Sequence, residues 1–253
     1  MGNEYSIREL YNQSQANWIR REPTILSDFT ARPALLSLCE PVSGLRVLDL
    51  GCGEGYCSRE LYRRGAREVY GLDLSERMIA AACQEEAREP LGIQYQVGNA
   101  TELSQFADQD VDLVLAVFLF NYLDISQTRQ CMAEIARVLR PGGRFVLGVP
   151  HPAFPYLRSA TPPFFFQVGH AGYFSGRDHY FDGCIWKRDG TSLDVRLIHK
   201  TFQDYFEALQ DAGFNTMPTL HELRVTPDLM ILDAVFFGPL EDVPLHVALS
   251  VVK

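Results

Sequence analysis

Between Arg46 and Val149, short apolar runs alternate with stretches long enough for helices, and that alternation leaves few folds open to the chain. Residues 46–50, 68–72, 93–97, 111–117 and 144–149 have the length and β-branched content of strands, whereas 56–64, 75–88 and 126–139 carry helical spacing. Alternation on this scale specifies an α/β fold built on a parallel, doubly wound sheet. The near-continuous apolar run Val111-Asp112-Leu113-Val114-Leu115-Ala116-Val117 fits a strand covered on both faces. Ser75 and Ser126 are suited to cap the second and third helices, and Arg140-Pro141-Gly142-Gly143 interrupts the chain before the fifth strand. Upstream, a helix is expected over 27–39. Residues 3–22 are polar with aromatics at Tyr5, Tyr11 and Trp18, the last two seven apart and on one face if the segment is helical. Downstream, 201–211 reads as a helix capped by Gly213, with closing strands at 218–225 and 245–252.

The rhythm stops at Pro150. Residues 150–197 hold five prolines, three of the six histidines and ten aromatics without clear periodicity. A segment of that length inside a compact domain is more often a lid or binding insertion than a linker, and its aromatic density argues against disorder. With 253 residues and 47% hydrophobic content, the chain is most simply one domain. Its expected parts are an N-terminal helical lid (1–40), a ligand-binding core (41–150), an aromatic-rich cap insertion (151–200), and a closing helix and strands (201–253).

Within the core, Val47-Leu48-Asp49-Leu50-Gly51-Cys52-Gly53-Glu54-Gly55 is a strand running into a turn with three alternating glycines, and Asp73 ends the next strand. Glycine permits a tight turn and close approach of a ligand, and a carboxylate after the second strand can hold both hydroxyls of a ribose. A dinucleotide fingerprint would place glycine where Tyr56 stands. The Gly-x-Gly-x-Gly spacing suits S-adenosylmethionine, which carries ribose and adenine but no phosphate.

Together with Asp73-Leu74-Ser75-x-x-Met78, Gly98-Asn99-Ala100, the strand ending Val117-Phe118, and Leu139-Arg140-Pro141-Gly142-Gly143, these residues resemble class I S-adenosylmethionine-dependent methyltransferases. A weaker likeness to bacterial small-molecule members extends through His151-Pro152, Tyr180-Phe181, His199-Lys200-Thr201 and Ala212-Gly213-Phe214. The resemblance implies a Rossmann-like, seven-stranded sheet with its last strand antiparallel, and S-adenosylmethionine as cofactor with S-adenosylhomocysteine as product. It implies that Gly51, Cys52 and Gly53 lie under the methionine portion, with Asp49 near its amino group and Gly55 also among the cofactor-binding residues. Asp73 would hold the ribose hydroxyls, Leu74 would pack on one face of adenine, Asn99 and Ala100 would address its edge, and Met78 would be a further cofactor-binding residue. Asn99 stands where the family usually has Asp, and its amide oxygen can still accept from the exocyclic amine. Phe118 would lie near the transferred methyl, and Tyr11 would reach the cofactor from the N-terminal segment.

Methyl transfer from a sulfonium is an in-line displacement, so the protein chiefly aligns reactants and excludes water. For a hydroxyl acceptor a general base helps, and His151 and His199 are the candidates: His151 follows the fifth strand at the carboxyl edge of the sheet, and His199 is expected to begin the next helix. His221 and His246 fall in the closing strands and read as structural, and His170 and His179 lie in the insertion. Trp18, Tyr156, Tyr173, Tyr180 and Trp186 are candidates for an aromatic acceptor pocket. The leading expectation is O-methylation of a small, partly apolar metabolite; N-methylation of an amine or peptide and non-catalytic cofactor binding remain alternatives. The sequence lacks the Asn/Asp-Pro-Pro-Tyr run of amide and adenine methyltransferases, having Phe118-Leu119-Phe120-Asn121 instead. It also lacks a carboxylate at the end of that strand for a metal-dependent enzyme, so no metal is implied. A net charge of −9 disfavours nucleic acid as partner. Six scattered cysteines without CxxC spacing, no apolar leader and no membrane-length apolar run suggest a cytoplasmic protein, monomeric or homodimeric.

Overall fold

The computed structural model describes Glu9, Tyr11, Asn12, Trp18, Ile19 and residues 22–253. Tyr5 and most of residues 1–21, the outer half of the expected N-terminal lid, lie outside the described residues. Five strands, β1 (Arg46–Leu50), β2 (Glu68–Asp73), β3 (Gln94–Val97), β4 (Val111–Val117) and β5 (Leu139–Pro150), run parallel in one sheet with β9 (Thr219–Leu223) and β10 (His246–Val252). The sheet order is β3-β2-β1-β4-β5-β10-β9, and β10 is antiparallel to both neighbours. The chain reverses direction on passing from β1–β2 to β4, so the glycine turn after β1 opens into the crevice at the carboxyl edge.

Side-chain alternation divides the core between the sheet's two faces. Leu48, Leu50, Val114 and Ala116 face α5 (Ile125–Val138) and α7 (Phe202–Asp211). Val47, Leu113, Leu115 and Val117 face α2 (Arg32–Leu38) and α3 (Tyr56–Arg63). The remaining core helix, α4 (Glu76–Arg88), is capped by Ser75, whose Oγ accepts from the Met78 N–H at 3.2 Å.

Several elements differ from expectation. The helix over 27–39 is broken at Ala31 into α1 (Leu26–Thr30) and α2. The cap of α5 is Asp124, not Ser126, because Asp124 and Gln127 form a reciprocal capping box. Residues 140–143 are a bulged part of β5, not a break before it, the register slipping between Val111 and Leu113. The expected insertion, extending to Ile198, contains a one-turn helix α6 (Phe154–Leu157) and an antiparallel sheet of β6 (Phe164–Phe166), β7 (Tyr180–Trp186) and β8 (Ser192–Ile198). Phe164, Phe166, Phe181, Ile185, Leu193 and Leu197 pack from this sheet around Phe154. Gly183 interrupts the apolar period of β7, where a Cβ would collide with the Phe165 carbonyl and ring atoms of Phe166. An unanticipated helix, α8 (Pro227–Phe237), joins β9 to β10. Among the described residues no helix is long and apolar enough to cross a membrane.

Candidate functional site

The turn after β1 depends on left-handed glycines: φ is +71° at Gly51, +57° at Gly53 and +84° at Gly55, which precedes α3. The Gly51 and Cys52 N–H groups donate to the Leu72 carbonyl at 2.7 and 3.1 Å, tying the turn to β2. Asp73 completes the tie. Its two carboxylate oxygens accept from the Gly53 and Ser75 N–H groups, each at 2.9 Å, which leaves further lone pairs for a ligand. Burial raises the Asp73 pKa, and those two backbone bonds oppose the rise. At the end of β1, Asp49 accepts from the Ser58 hydroxyl at 2.6 Å, and burial pushes its pKa up to about 7.

These groups line a cavity of about 630 Å³, within the roughly 300–1,000 Å³ range of small-molecule sites. Tyr11, Asp49, Gly51, Cys52, Gly53, Asp73, Leu74, Met78, Asn99, Ala100 and Phe118 all border it, whereas Gly55 lies behind the turn. Leu74 is 44% exposed, so its apolar face is open to a flat ring. Asn99 Oδ1 accepts from the Thr101 N–H at 3.0 Å. Replacing Asn99 with Asp keeps that bond and adds charge to the remaining lone pairs, so Asn99→Asp is expected to tighten S-adenosylhomocysteine binding about three- to tenfold by calorimetry. Unchanged or weaker binding would separate Asn99 from the adenine edge.

Tyr11 reaches the cavity through a hydroxyl–hydroxyl hydrogen bond with Tyr122, and its ring lies 5.5 Å from that of Trp18. Asn12 fastens the same segment to α4, accepting from Ser75 Oγ at 2.6 Å. Phe118 adopts φ +59°, a left-handed conformation that costs a residue with a Cβ about 1–2 kcal/mol. Its ring borders the cavity, where the Arg32 guanidinium lies 5.5 Å from the ring centre.

The two histidines singled out from sequence are placed elsewhere. His151 does not border the cavity: its Nδ1 accepts from the Ala153 N–H at 3.1 Å within the β5–α6 corner and its Nε2 bonds Glu222 of β9 at 2.9 Å, so the ring ties that corner to β9. His199 follows β8 rather than beginning α7, which is capped by Thr201. It is fully buried against Tyr156, Tyr173 and Phe181, with Nε2 donating to the Tyr173 carbonyl at 2.9 Å. Of the acceptor candidates, Trp18 and Tyr180 border the cavity. Tyr156 and Tyr173 instead pack around His199, and Trp186 packs on Phe165.

The cavity also contains side chains not expected there from the sequence, among them His246, which reads as structural in the sequence. Arg32, 9% exposed, donates to Ser27 Oγ at 2.5 Å and Asp28 Oδ1 at 2.9 Å. Asn121 and Tyr122 enter from the turn after β4. His246 borders the cavity, 1% exposed, its ring 5.1 Å from Phe118 and 6.0 Å from Phe164. Burial, reinforced by the positive charge of Arg32, pushes its pKa down to about 3, so it is neutral near pH 7. One available clue pointed to it: the first residue of an antiparallel final strand lies at the carboxyl edge of the parallel ones, and His246 pairs there with Pro150.

Residues 47–143 match the family model described as a methyltransferase domain. A solved S-adenosylmethionine-dependent methyltransferase from Mesorhizobium loti is similar at 26% identity and a TM-score of 0.65, over 87% of this chain and 96% of that one. Among curated relatives, malonyl-[acyl-carrier protein] O-methyltransferase of Pectobacterium atrosepticum is 36% identical over 45% of this chain and 42% of its own length. Demethylmenaquinone methyltransferase of Tropheryma whipplei is 30% identical over 63% of each. The chain spans about half the length of the curated relatives it matches.

Proposed function

This chain belongs to the class I S-adenosylmethionine-dependent methyltransferases, and on that premise we propose that it methylates a hydroxyl oxygen of a small, largely apolar metabolite. What carries the reading is one cavity that runs from Asp73 past Gly51 to Phe118 and continues between aromatic side chains of the β6–β8 sheet. The residues fit the cofactor: a glycine floor that side chains would obstruct, a carboxylate anchored at the ribose position, and an open apolar wall at Leu74. Bound there, S-adenosylmethionine supplies an electrophilic methyl on a sulfonium. The chain's own residues bind, align and dry the reactants. Residues 150–200 act as the acceptor cap, with Phe164, Phe166, Ile185 and Val195 forming an apolar wall.

Neither His151 nor His199 borders the cavity, which supports a mechanism carried by alignment and water exclusion, with S-adenosylhomocysteine as the leaving group and the hydroxyl proton released to solvent. Incubation with methyl-labelled S-adenosylmethionine and a panel of phenols, alcohols, amines and carboxylic acids, followed by mass spectrometry, tests the assignment. Methyl ethers are the expected products. Exclusive methylation of amines would overturn the oxygen assignment, and absence of cofactor binding would overturn the whole.

Asp49 provides a pH test. Because its folded pKa is about 7 against roughly 3.9 unfolded, the stability it contributes is present below about pH 4 and is lost as pH rises through 7. In the cofactor-free protein, Asp49→Asn is therefore expected to raise Tm at pH 8 and to flatten the fall in Tm between pH 5 and 8. At about 2–4 °C per kcal/mol for a chain of this size, fluorimetry resolves the change. The same variant should bind S-adenosylhomocysteine more weakly, since a carboxylate facing an ammonium is lost. Identical pH slopes for parent and variant would refute Asp49 as the titrating group.

A further inference from the structure

The three buried histidines are partnered very differently. His151 uses both ring nitrogens and His199 one, but neither His246 nitrogen has a hydrogen-bond partner among the described residues. A neutral imidazole carries one donor and one acceptor, and leaving such groups buried without partners costs about 1–3 kcal/mol each. His246 stands between Phe118, on the side where the cofactor's methyl is expected, and Phe164, on the insertion sheet. On the insertion side the cavity wall is largely apolar, lined by Phe164, Phe166, Ile185 and Val195, with Ile25 beside them in the lining.

The charged side chains at this end are compensated. Arg32 is paired with Asp28, and Arg196 with Asp182 at 2.7 Å, so neither leaves a full uncompensated charge for an anionic ligand. A carboxylate-bearing or ammonium-bearing acceptor would have to shed its hydration here without a dedicated counter-ion, whereas a hydroxyl needs only a hydrogen bond.

We propose that the space between Phe118 and β6 is the acceptor subsite, that His246 is its hydrogen-bonding anchor, and that it takes an uncharged hydroxyl compound with a flat apolar body, of the phenol type. This rests on the methyltransferase reading and specifies its acceptor. The phenolic O–H donates to the bare ring nitrogen, or its oxygen accepts from the ring N–H, while Phe118 and Phe164 close on the apolar body. Removal of the hydroxyl leaves the imidazole unsatisfied in the complex, which is the condition under which a site discriminates strongly against an isostere.

Calorimetric titration of the S-adenosylhomocysteine-loaded protein with para-propylphenol, para-propyltoluene and para-propylbenzoate tests this. The phenol is expected to bind at least about tenfold more tightly than the toluene analogue, and more tightly than the benzoate. In His246→Phe that preference should vanish while S-adenosylhomocysteine affinity stays unchanged, and His246→Gln should restore part of it. Equal affinity for phenol and toluene analogue in the unmutated protein, a preference for the benzoate, or no saturable phenol binding would each overturn the proposal; these need no variant to fold. Persistence of the preference in His246→Phe would overturn it as well. If S-adenosylhomocysteine fails to bind the unmutated protein, the methyltransferase reading falls separately, and the phenol titrations on the free protein still decide the anchor.

Discussion

Replacing Asp73 with alanine is expected to weaken S-adenosylhomocysteine binding by about a hundredfold or more, since hydrogen bonds to a charged group contribute roughly 1.5–3 kcal/mol each and a ribose offers two hydroxyls. The effect has two parts. Direct bonds to the ligand are lost, and the Gly53 and Ser75 N–H groups that the carboxylate holds at 2.9 Å are released, which loosens the turn. Asp73→Asn separates them: one amide oxygen can still accept a backbone N–H, but the amide nitrogen faces a donor it cannot bond. Its affinity should fall between parent and alanine variant. Calorimetry on all three proteins checks this, and a loss of less than about threefold in the alanine variant would remove Asp73 from the ribose site.

The second large effect concerns stability. Phe154 is fully buried at the start of α6, stacked on Phe164 at 4.4 Å and edge-on to Phe166 at 6.2 Å. Phe154→Ala should cost about 3–5 kcal/mol, because the surrounding rings cannot collapse onto the space it leaves. Its cluster is distinct from the two that flank the main sheet, so the cost should fall first on the insertion. Amide exchange is expected to accelerate across 164–198 while β1 and β4 remain protected and S-adenosylhomocysteine still binds. A uniform increase through both sheets would show instead that insertion and core unfold as one unit.

Much of the architecture was legible because its determinants are local. Leu48 and Leu50 against Val47, and Leu113 and Leu115 against Val114 and Ala116, divide between the sheet's faces by the two-residue period of a strand. The β6–β8 sheet was less legible, since Gly183 breaks the apolar alternation of β7 and a long loop separates β6 from β7; the one local signal is Asp189-Gly190, where Gly190 takes φ +87° in the turn between β7 and β8. Helix α8 was not legible: Leu229, Met230, Ile231 and Leu232 are consecutive apolar residues with no helical stripe, of which Ile231 is 85% exposed while Leu229 and Met230 pack inward.

By itself, then, the sequence determined the parallel sheet, the left-handed glycine turn and the carboxylate that braces it, because each depends on residues within one strand–turn–helix unit and its immediate neighbour. Tertiary structure alone decided which histidine meets the cavity. His151 and His199 have the suggestive positions in the chain, yet Glu222 and Tyr173 engage them from other elements. His246 reaches the site only because β10 enters antiparallel between β5 and β9, a pairing across about a hundred residues that no local periodicity encodes.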